Sequence, residues 1–193
     1  MALTIAIEGL PGCGKTTAID LLVEHLKQNG LQIEVINIDT AGCATELKAI
    51  AERYPLGHPA RVLLFWVLRI QQHEAMREVA KSADIVIADR FWGSTIAFDV
   101  FGSGVPMKAI EWFSHFINPK PDVVLYFDAP LEVTQKRKQA KTMHDADFAS
   151  RIEKGYIHLA KTERWTKIDA TKNPEEIMKQ CLNIITAHIP RTK

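Results

Sequence analysis

Residues 9 to 16 read Gly-Leu-Pro-Gly-Cys-Gly-Lys-Thr: a glycine, four residues, then Gly-Lys-Thr. Glycines let a backbone curl until successive N–H groups point at one anion, and a helix starting there adds its partial positive charge. Lys15 can then reach the β- and γ-phosphates of a nucleotide, and the Thr16 hydroxyl can bind Mg²⁺. The expected nucleotide-binding residues are therefore Gly9, Leu10, Pro11, Gly12, Cys13, Gly14, Lys15, Thr16 and Thr17. Cys13 reads as a small spacer rather than a nucleophile, because no histidine lies nearby in sequence. A second group, Asp89-Arg90-Phe91, follows the apolar stretch Asp84 to Ala88. At the C-terminal end of a parallel strand, Asp89 can hold a metal or its waters, and Arg90 offers a planar fork for a phosphate.

Two readings fit a phosphate loop at this point. Asp39-Thr40-Ala41-Gly42 matches the Asp-x-x-Gly element of a GTP-driven switch, and Thr166-Lys167-Ile168-Asp169 matches its guanine-reading Thr-Lys-x-Asp. Against that reading, the chain between Thr16 and Asp39 is short for a helix, a switch loop and a strand. Glu163-Arg164-Trp165 is also a poor strand to precede a guanine site. The other reading is a small-molecule phosphotransferase built on Asp89-Arg90.

The elements that must position these groups alternate between short apolar stretches and longer amphipathic ones. Strands are expected at Leu3 to Glu8, Gln32 to Ile38, Asp84 to Ala88, Asp122 to Phe127 and Trp165 to Ile168. Helices are expected at Lys15 to Asn29 (stopped by Gly30), Ala44 to Arg53, Pro59 to Lys81, Gly93 to Val100, Pro106 to Ile117, Leu131 to Gln139, Ala146 to Glu163 and Pro174 to Ile189. Lys141 to Asp145 reads as a polar loop. The first half of the Pro59 helix is apolar almost all round, which predicts that it is buried. Strands with continuous apolar cores, alternating with helices, imply α/β architecture: a parallel sheet of about five strands covered on both faces, a three-layer sandwich.

The 193 residues fit one domain, 1–193, and the composition (47% apolar, 24% charged) excludes a disordered chain. A net charge of +1 argues against a dedicated nucleic-acid binder, whose surface must neutralise many phosphates. The longest apolar run, Val62 to Leu68, is far short of the roughly 20 residues of a membrane span, so no membrane partner is expected. Cys13, Cys43 and Cys181 are too scattered for a disulfide framework or a zinc site, and the N-terminus lacks the pattern of a signal peptide, so a reducing cytoplasm is expected.

Taken in order, several stretches resemble the thymidylate kinase family of P-loop nucleoside monophosphate kinases. They begin with Ile7-Glu8-Gly9 and the phosphate loop, then Leu63-Leu64-Phe65 with Arg69. Ala88-Asp89-Arg90-Phe91 with Ser94 and Ala97-Phe98 follows, then Pro121-Asp122 to Asp128 with Pro130, Glu132 and Arg137. Phe148, Arg151, Gly155-Tyr156, Leu159-Ala160, Arg164-Trp165, Ile168-Asp169-Ala170 and Pro174-Glu175-Glu176 complete the series. The resemblance implies a P-loop nucleotide kinase fold and transfer of the γ-phosphate of ATP to dTMP with Mg²⁺ as cofactor. It leaves a related kinase with another nucleotide or nucleoside acceptor as the alternative. It implies Lys15, Asp89, Arg90 and Arg137 as catalytic residues, and Thr16 and Asp89 at the metal. Phe65, Arg69, Arg90, Thr95 and Phe98 would hold the acceptor, with Phe65 stacked on the base. A short lid over about residues 136–146, carrying Arg137 and the lysines Lys138 and Lys141, would close over the phosphates. Small-molecule nucleotides are the implied partners, and a homodimer the implied assembly.

The chain also departs from that pattern. Pro11 stands where the family usually carries an aspartate, and Ile38 to Gly42 replaces an Arg-Glu-Pro-Gly segment. Phe98 replaces a tyrosine near the sugar, Asp99 a glutamine, and the lid stretch has one arginine. These changes fall on the acceptor side or the lid, while the donor loop is intact.

Overall fold

A computed structural model describes residues 2–40, 42–117, 120–137 and 146–189. Five parallel strands form one sheet: β1 (Leu3–Gly9), β2 (Ile33–Ile36), β3 (Ile85–Asp89), β4 (Val123–Asp128) and β5 (Thr166–Asp169), in the order β2-β3-β1-β4-β5. The side chains of β1 divide between the two faces, as a period of two dictates. Leu3, Ile5 and Ile7 pack with α1 (Lys15–Gln28) and α8 (Pro174–His188) on one face. Ala6 packs on the other face, with Val86, Ala88 and Met76 of α3 (Pro59–Val79). α7 (Ala146–Thr162) covers the β4 side of that second face through Phe148, Ile152, Tyr156 and Leu159, an i, i+4, i+8, i+11 stripe. The expected three-layer sandwich is thus present.

Local chemistry sets the helix starts. Pro59 opens α3 behind the His58 ring nitrogen, which accepts from Ala60 N at 3.2 Å. Asn173 and Glu176 form a capping box ahead of α8.

Three expectations change. The strand expected over Gln32 to Ile38 ends at Ile36, and Ile38–Thr40 is a single tight turn. The helix expected over Gly93 to Val100 is one α-turn, α4 (Trp92–Thr95), which widens into i→i+5 winding over Ile96–Gly102. Wide turns of this kind recur at functional sites. The first half of α3 is not buried all round: Val62 and Trp66 are buried, but Leu63 is 56% and Val67 44% exposed. One stripe packs under α5 (Met107–Ser114) through Ile110 and Phe113, a second faces a cavity, and a third meets solvent. The remaining helices are α2 (Ala44–Ala51) and α6 (Leu131–Arg137). Of the expected lid, residues 138–145, with Lys138 and Lys141, lie outside the described residues.

Candidate active site

The site forms where β1 and β3 end side by side in the centre of the sheet. The chain leaves β1 for α1 on one face and leaves β3 for α4 on the other, so a crevice opens between them. The loop from Gly9 to Gly14 needs its glycines. Gly14 has φ +96°, and a Cβ on Gly9 would stand 2.7 Å from the Phe127 carbonyl oxygen. Cys13 points inward and is fully buried in the core, consistent with a spacer.

Lys15 is buried, and its ammonium donates to the carbonyls of Leu10 (3.0 Å) and Gly9 (3.2 Å) and to Cys13 Sγ (3.5 Å). The loop carbonyls satisfy the cation from within. Burial, and then the Arg90 charge, pull its pKa down from 10.5 to about 8. Thr16 and Thr17 are exposed at the head of α1. They border a cavity of about 780 Å³ with Pro11, Gly12, Gly14, Lys15, Asp89 and Arg90, closed on its far side by Arg137 and Thr171–Pro174.

Asp89 ends β3, and its Oδ1 is buried without a hydrogen-bond partner among the described residues. A buried carboxylate oxygen of this kind needs a cation or water. Among the described residues, no group of three or more acidic, histidine or cysteine side chains gathers. One carboxylate and one hydroxyl beside phosphate space suit Mg²⁺, which keeps several waters and takes ligands from the substrate.

Arg90 adopts φ +63°, a conformation rare for a residue with a side chain. Its own N–H donates to Ile7 O, and its carbonyl oxygen accepts from Arg69 Nη1 (3.0 Å) and Gln72 Nε2 (2.8 Å). Its Nη1 donates to Gly9 O (2.8 Å), Tyr156 Oη (2.9 Å) and Ser94 Oγ (3.3 Å). Ser94 Oγ in turn donates to Glu8 Oε2 at 2.6 Å, so the Tyr156 hydroxyl, 2.7 Å away, must donate to Ser94. Donation therefore runs in one direction, from Arg90 through Tyr156 and Ser94 to Glu8. The other Glu8 oxygen accepts from the backbone of Phe91 and Ser94. Burial pushes the Tyr156 pKa up, which keeps that hydroxyl protonated.

A second cavity of about 340 Å³ lies on the opposite side of Arg90 and Pro11. Phe65, Arg69, Thr95, Phe98 and Asp99 line it. Phe65 is half-buried beneath the Arg61 guanidinium, 5.5 Å from its centroid. Arg69 Nε donates to Thr95 Oγ1 at 3.2 Å, its Nη1 bonds Gln72, and burial lowers its pKa to about 10. Phe98 lies 5.7 Å from the Arg90 guanidinium carbon.

The structure thus brings together Lys15, Thr16, Asp89 and Arg90, and sets Phe65, Arg69, Thr95 and Phe98 around one neighbouring cavity. Arg137 borders the first cavity, but its fork is engaged by the carbonyls of Ala170 (2.6 Å) and Thr171 (3.1 Å). Sequence reasoning gave no role to Glu8, Tyr156 or Gln72. Glu8 and Tyr156 fall in stretches that carry the family resemblance, but their hydrogen-bond partners, like the carbonyls that Gln72 reaches, lie far away in the chain. The segments matching a GTP switch are engaged elsewhere. Asp39 is exposed and paired with Lys48. Lys167 pairs with Asp128, and Asp169 takes the Thr171 hydroxyl, which lowers its pKa. Neither Lys167 nor Asp169 lines the phosphate-loop cavity.

Comparison with known proteins decides the family. A family model described as Thymidylate kinase matches residues 7–181. This chain belongs to the thymidylate kinase family. It is 30% identical over 188 residues to "Probable thymidylate kinase 1" of Saccharolobus solfataricus, with 96% of this chain and 97% of that protein covered. It is 29% identical over 195 residues to a thymidylate kinase of Fervidobacterium nodosum, covering 96% and 99%. It is 31% identical over 192 residues to one of Kosmotoga olearia, covering 91% of each. As a thymidylate kinase family member it is an ATP-dependent nucleoside monophosphate kinase with a P-loop fold.

Proposed function

We propose that the protein transfers the γ-phosphoryl group of ATP to the phosphate of dTMP, giving ADP and dTDP. The observation that carries this reading is Arg90, whose side chain borders both cavities. Two phosphates can meet there in line, one from each side. A nucleoside monophosphate oxygen is already ionised near neutral pH, so the reaction needs no general base. The work is positioning and charge neutralisation in a site closed to water.

Lys15 and the loop amides hold the donor phosphates, and Arg90 holds the acceptor phosphate. Arg69 and Thr95 orient the acceptor, with Phe65 and Phe98 against its rings. Arg137 neutralises the transferring group once its fork leaves the Ala170 and Thr171 carbonyls. Thr16 and Asp89 hold Mg²⁺, supported by the unpartnered Asp89 Oδ1. Bound there, the ion supplies charge neutralisation on the β- and γ-oxygens.

The same reading takes residues 1–193 as one domain with a lid over 136–146, acting in the cytoplasm on small nucleotides. Three free cysteines suit a reducing compartment, and no described helix is long and apolar enough to cross a membrane. The exposed Leu63 and Val67 stripe of α3 supports a homodimer, which light scattering would test. Pro11, Phe98 and Asp99 favour one second reading, a different monophosphate acceptor.

The deciding experiment is ADP release from Mg-ATP against dTMP, dUMP, dCMP, UMP, CMP, dGMP, dAMP and thymidine. The proposal expects dTMP to give the highest kcat/KM. A higher value with another acceptor, or release no faster than ATP hydrolysis alone, refutes it.

A further inference from the structure

α7 holds both arginines proposed above to meet the phosphates, through side chains three residues apart. Tyr156 accepts from Arg90 Nη1 at 2.9 Å. Glu153 Oε1 accepts from the backbone N–H of Leu131 at 2.8 Å, and Leu131 is the first residue of α6, which ends at Arg137. Residues three apart share one helix face.

The contact at Leu131 has a local cause. The Pro130 carbonyl accepts from the N–H groups of Val133 (2.9 Å) and Thr134 (3.1 Å), so Pro130 is the cap residue of α6. A proline side chain carries no acceptor and cannot satisfy the first N–H groups of a helix, as Asn173 does at α8. At α6 a carboxylate from another helix takes that place, and its negative charge suits the positive end of the helix dipole. The strand before α6 rests on the same helix, with the Tyr126 ring of β4 stacked on Tyr156 at 6.1 Å and 18°. The connection from β4 to α6 is therefore braced on α7 at two points, and one of them, Tyr156, also carries Arg90. The seven residues of α6 span only about 10 Å, so a shift at Leu131 reaches Arg137.

We propose that Glu153 is a positioning residue for phosphoryl transfer: it pins the start of α6 to the face of α7 that carries Tyr156, and so sets Arg137 in register with Arg90. Glu153 lines neither cavity and acts through Arg137, so the inference rests on the role proposed for Arg137 above. The Arg137 fork, held here by the Ala170 and Thr171 carbonyls, swings to the phosphoryl group from a base whose place Glu153 fixes. Misplacing a charged group by about 1 Å can cost about a hundredfold in rate. A loss of that kind falls on kcat rather than on the binding of either nucleotide.

The test is steady-state turnover of Mg-ATP with whichever acceptor of the panel above gives the highest kcat/KM. Glu153→Ala should lower kcat at least about tenfold, with both KM values and the far-UV spectrum little changed. Glu153→Gln should keep kcat within about threefold of the wild type, because its amide oxygen accepts the same N–H and a charge-assisted bond is only roughly twice as strong as a neutral one. Arg137→Ala should also lower kcat, and adding Glu153→Ala to it should cost nothing more, since both act through one group. A glutamate that merely supports the fold would give losses that multiply. Wild-type kcat in Glu153→Ala, a loss confined to KM, or multiplying losses in the double variant overturns the proposal and leaves the role of Arg137 standing. Wild-type kcat in Arg137→Ala removes that role, and this inference with it. Turnover with none of the acceptors removes the proposed function itself.

Discussion

The Arg90 guanidinium and the Tyr156 hydroxyl meet at 2.9 Å across 66 residues of sequence, with the arginine donating. Tyr156 is fully buried and its hydroxyl donates a hydrogen bond to Ser94, which donates to Glu8. The Arg90 fork, proposed to hold the acceptor phosphate, is thus anchored to a carboxylate in the central strand. Tyr156→Phe keeps the ring against Tyr126 but removes both bonds of the hydroxyl. Losing a buried partner costs about 1–3 kcal/mol. We expect a lower melting temperature and a KM for dTMP raised about tenfold, with the KM for ATP little changed. An equal effect on both substrates would show that Tyr156 merely supports the fold.

Lys15→Met should cut kcat/KM at least about a hundredfold, the usual scale for losing a preorganised charge on the transition state. It should also raise the melting temperature at pH 7, because a buried ammonium held down to about pKa 8 is destabilising until it loses its proton. The sign follows from linkage. Between about pH 8 and 10.5 the unfolded chain binds the proton that the folded one has lost, so wild-type stability from this group rises with pH. For the same reason the wild-type KM for ATP should climb above pH 8 as the cation disappears. A pH-independent KM up to pH 9 would contradict this assignment.

The sequence makes some of this site plain and hides the rest, for physical reasons. The phosphate loop is local: strand, glycines, lysine and helix start lie within about a dozen residues, and each leaves a mark in composition. Asp89-Arg90 is nearly as legible, because a buried apolar strand points to its own end. The hydrogen-bonded chain from Arg90 to Glu8 is not, since it joins β1, α4 and α7 and depends on tertiary packing. The apolar run of α3 misleads in the other direction. Seven apolar residues in a row cover every side of a helix, while the sheet and α5 take one stripe only, leaving Leu63 and Val67 outside. The wide turn over Ile96–Gly102 also leaves no local mark, yet it carries Phe98 and Asp99 to the cavity wall.

Gly155 tests the packing that brings α7 to the site. Alanine in a helix interior normally gains about 1 kcal/mol over glycine. Here a Cβ would stand 2.8 Å from Cγ of Phe101 on the wide turn. Overpacking costs about 1–3 kcal/mol, so it should outweigh the propensity gain. Chemical denaturation should show Gly155→Ala less stable than the wild type. Gly42→Ala, where a Cβ meets nothing within 4 Å, is the matched control and should be neutral or slightly stabilising.

Asp99→Asn should change how stability depends on pH. Burial raises the Asp99 pKa from 3.8 to about 6, only partly opposed by the Trp66 N–H and the charges of Arg69 and Arg61. An acid with a raised folded-state pKa contributes stability that is fully present below pH 3.8 and is lost as pH rises through about 6. The neutral amide escapes that loss. The variant should therefore match the wild type near pH 4 and exceed it at pH 7, by at most about 3 kcal/mol on the two-unit shift. Equal melting temperatures across the range would place Asp99 in water rather than in the cavity wall.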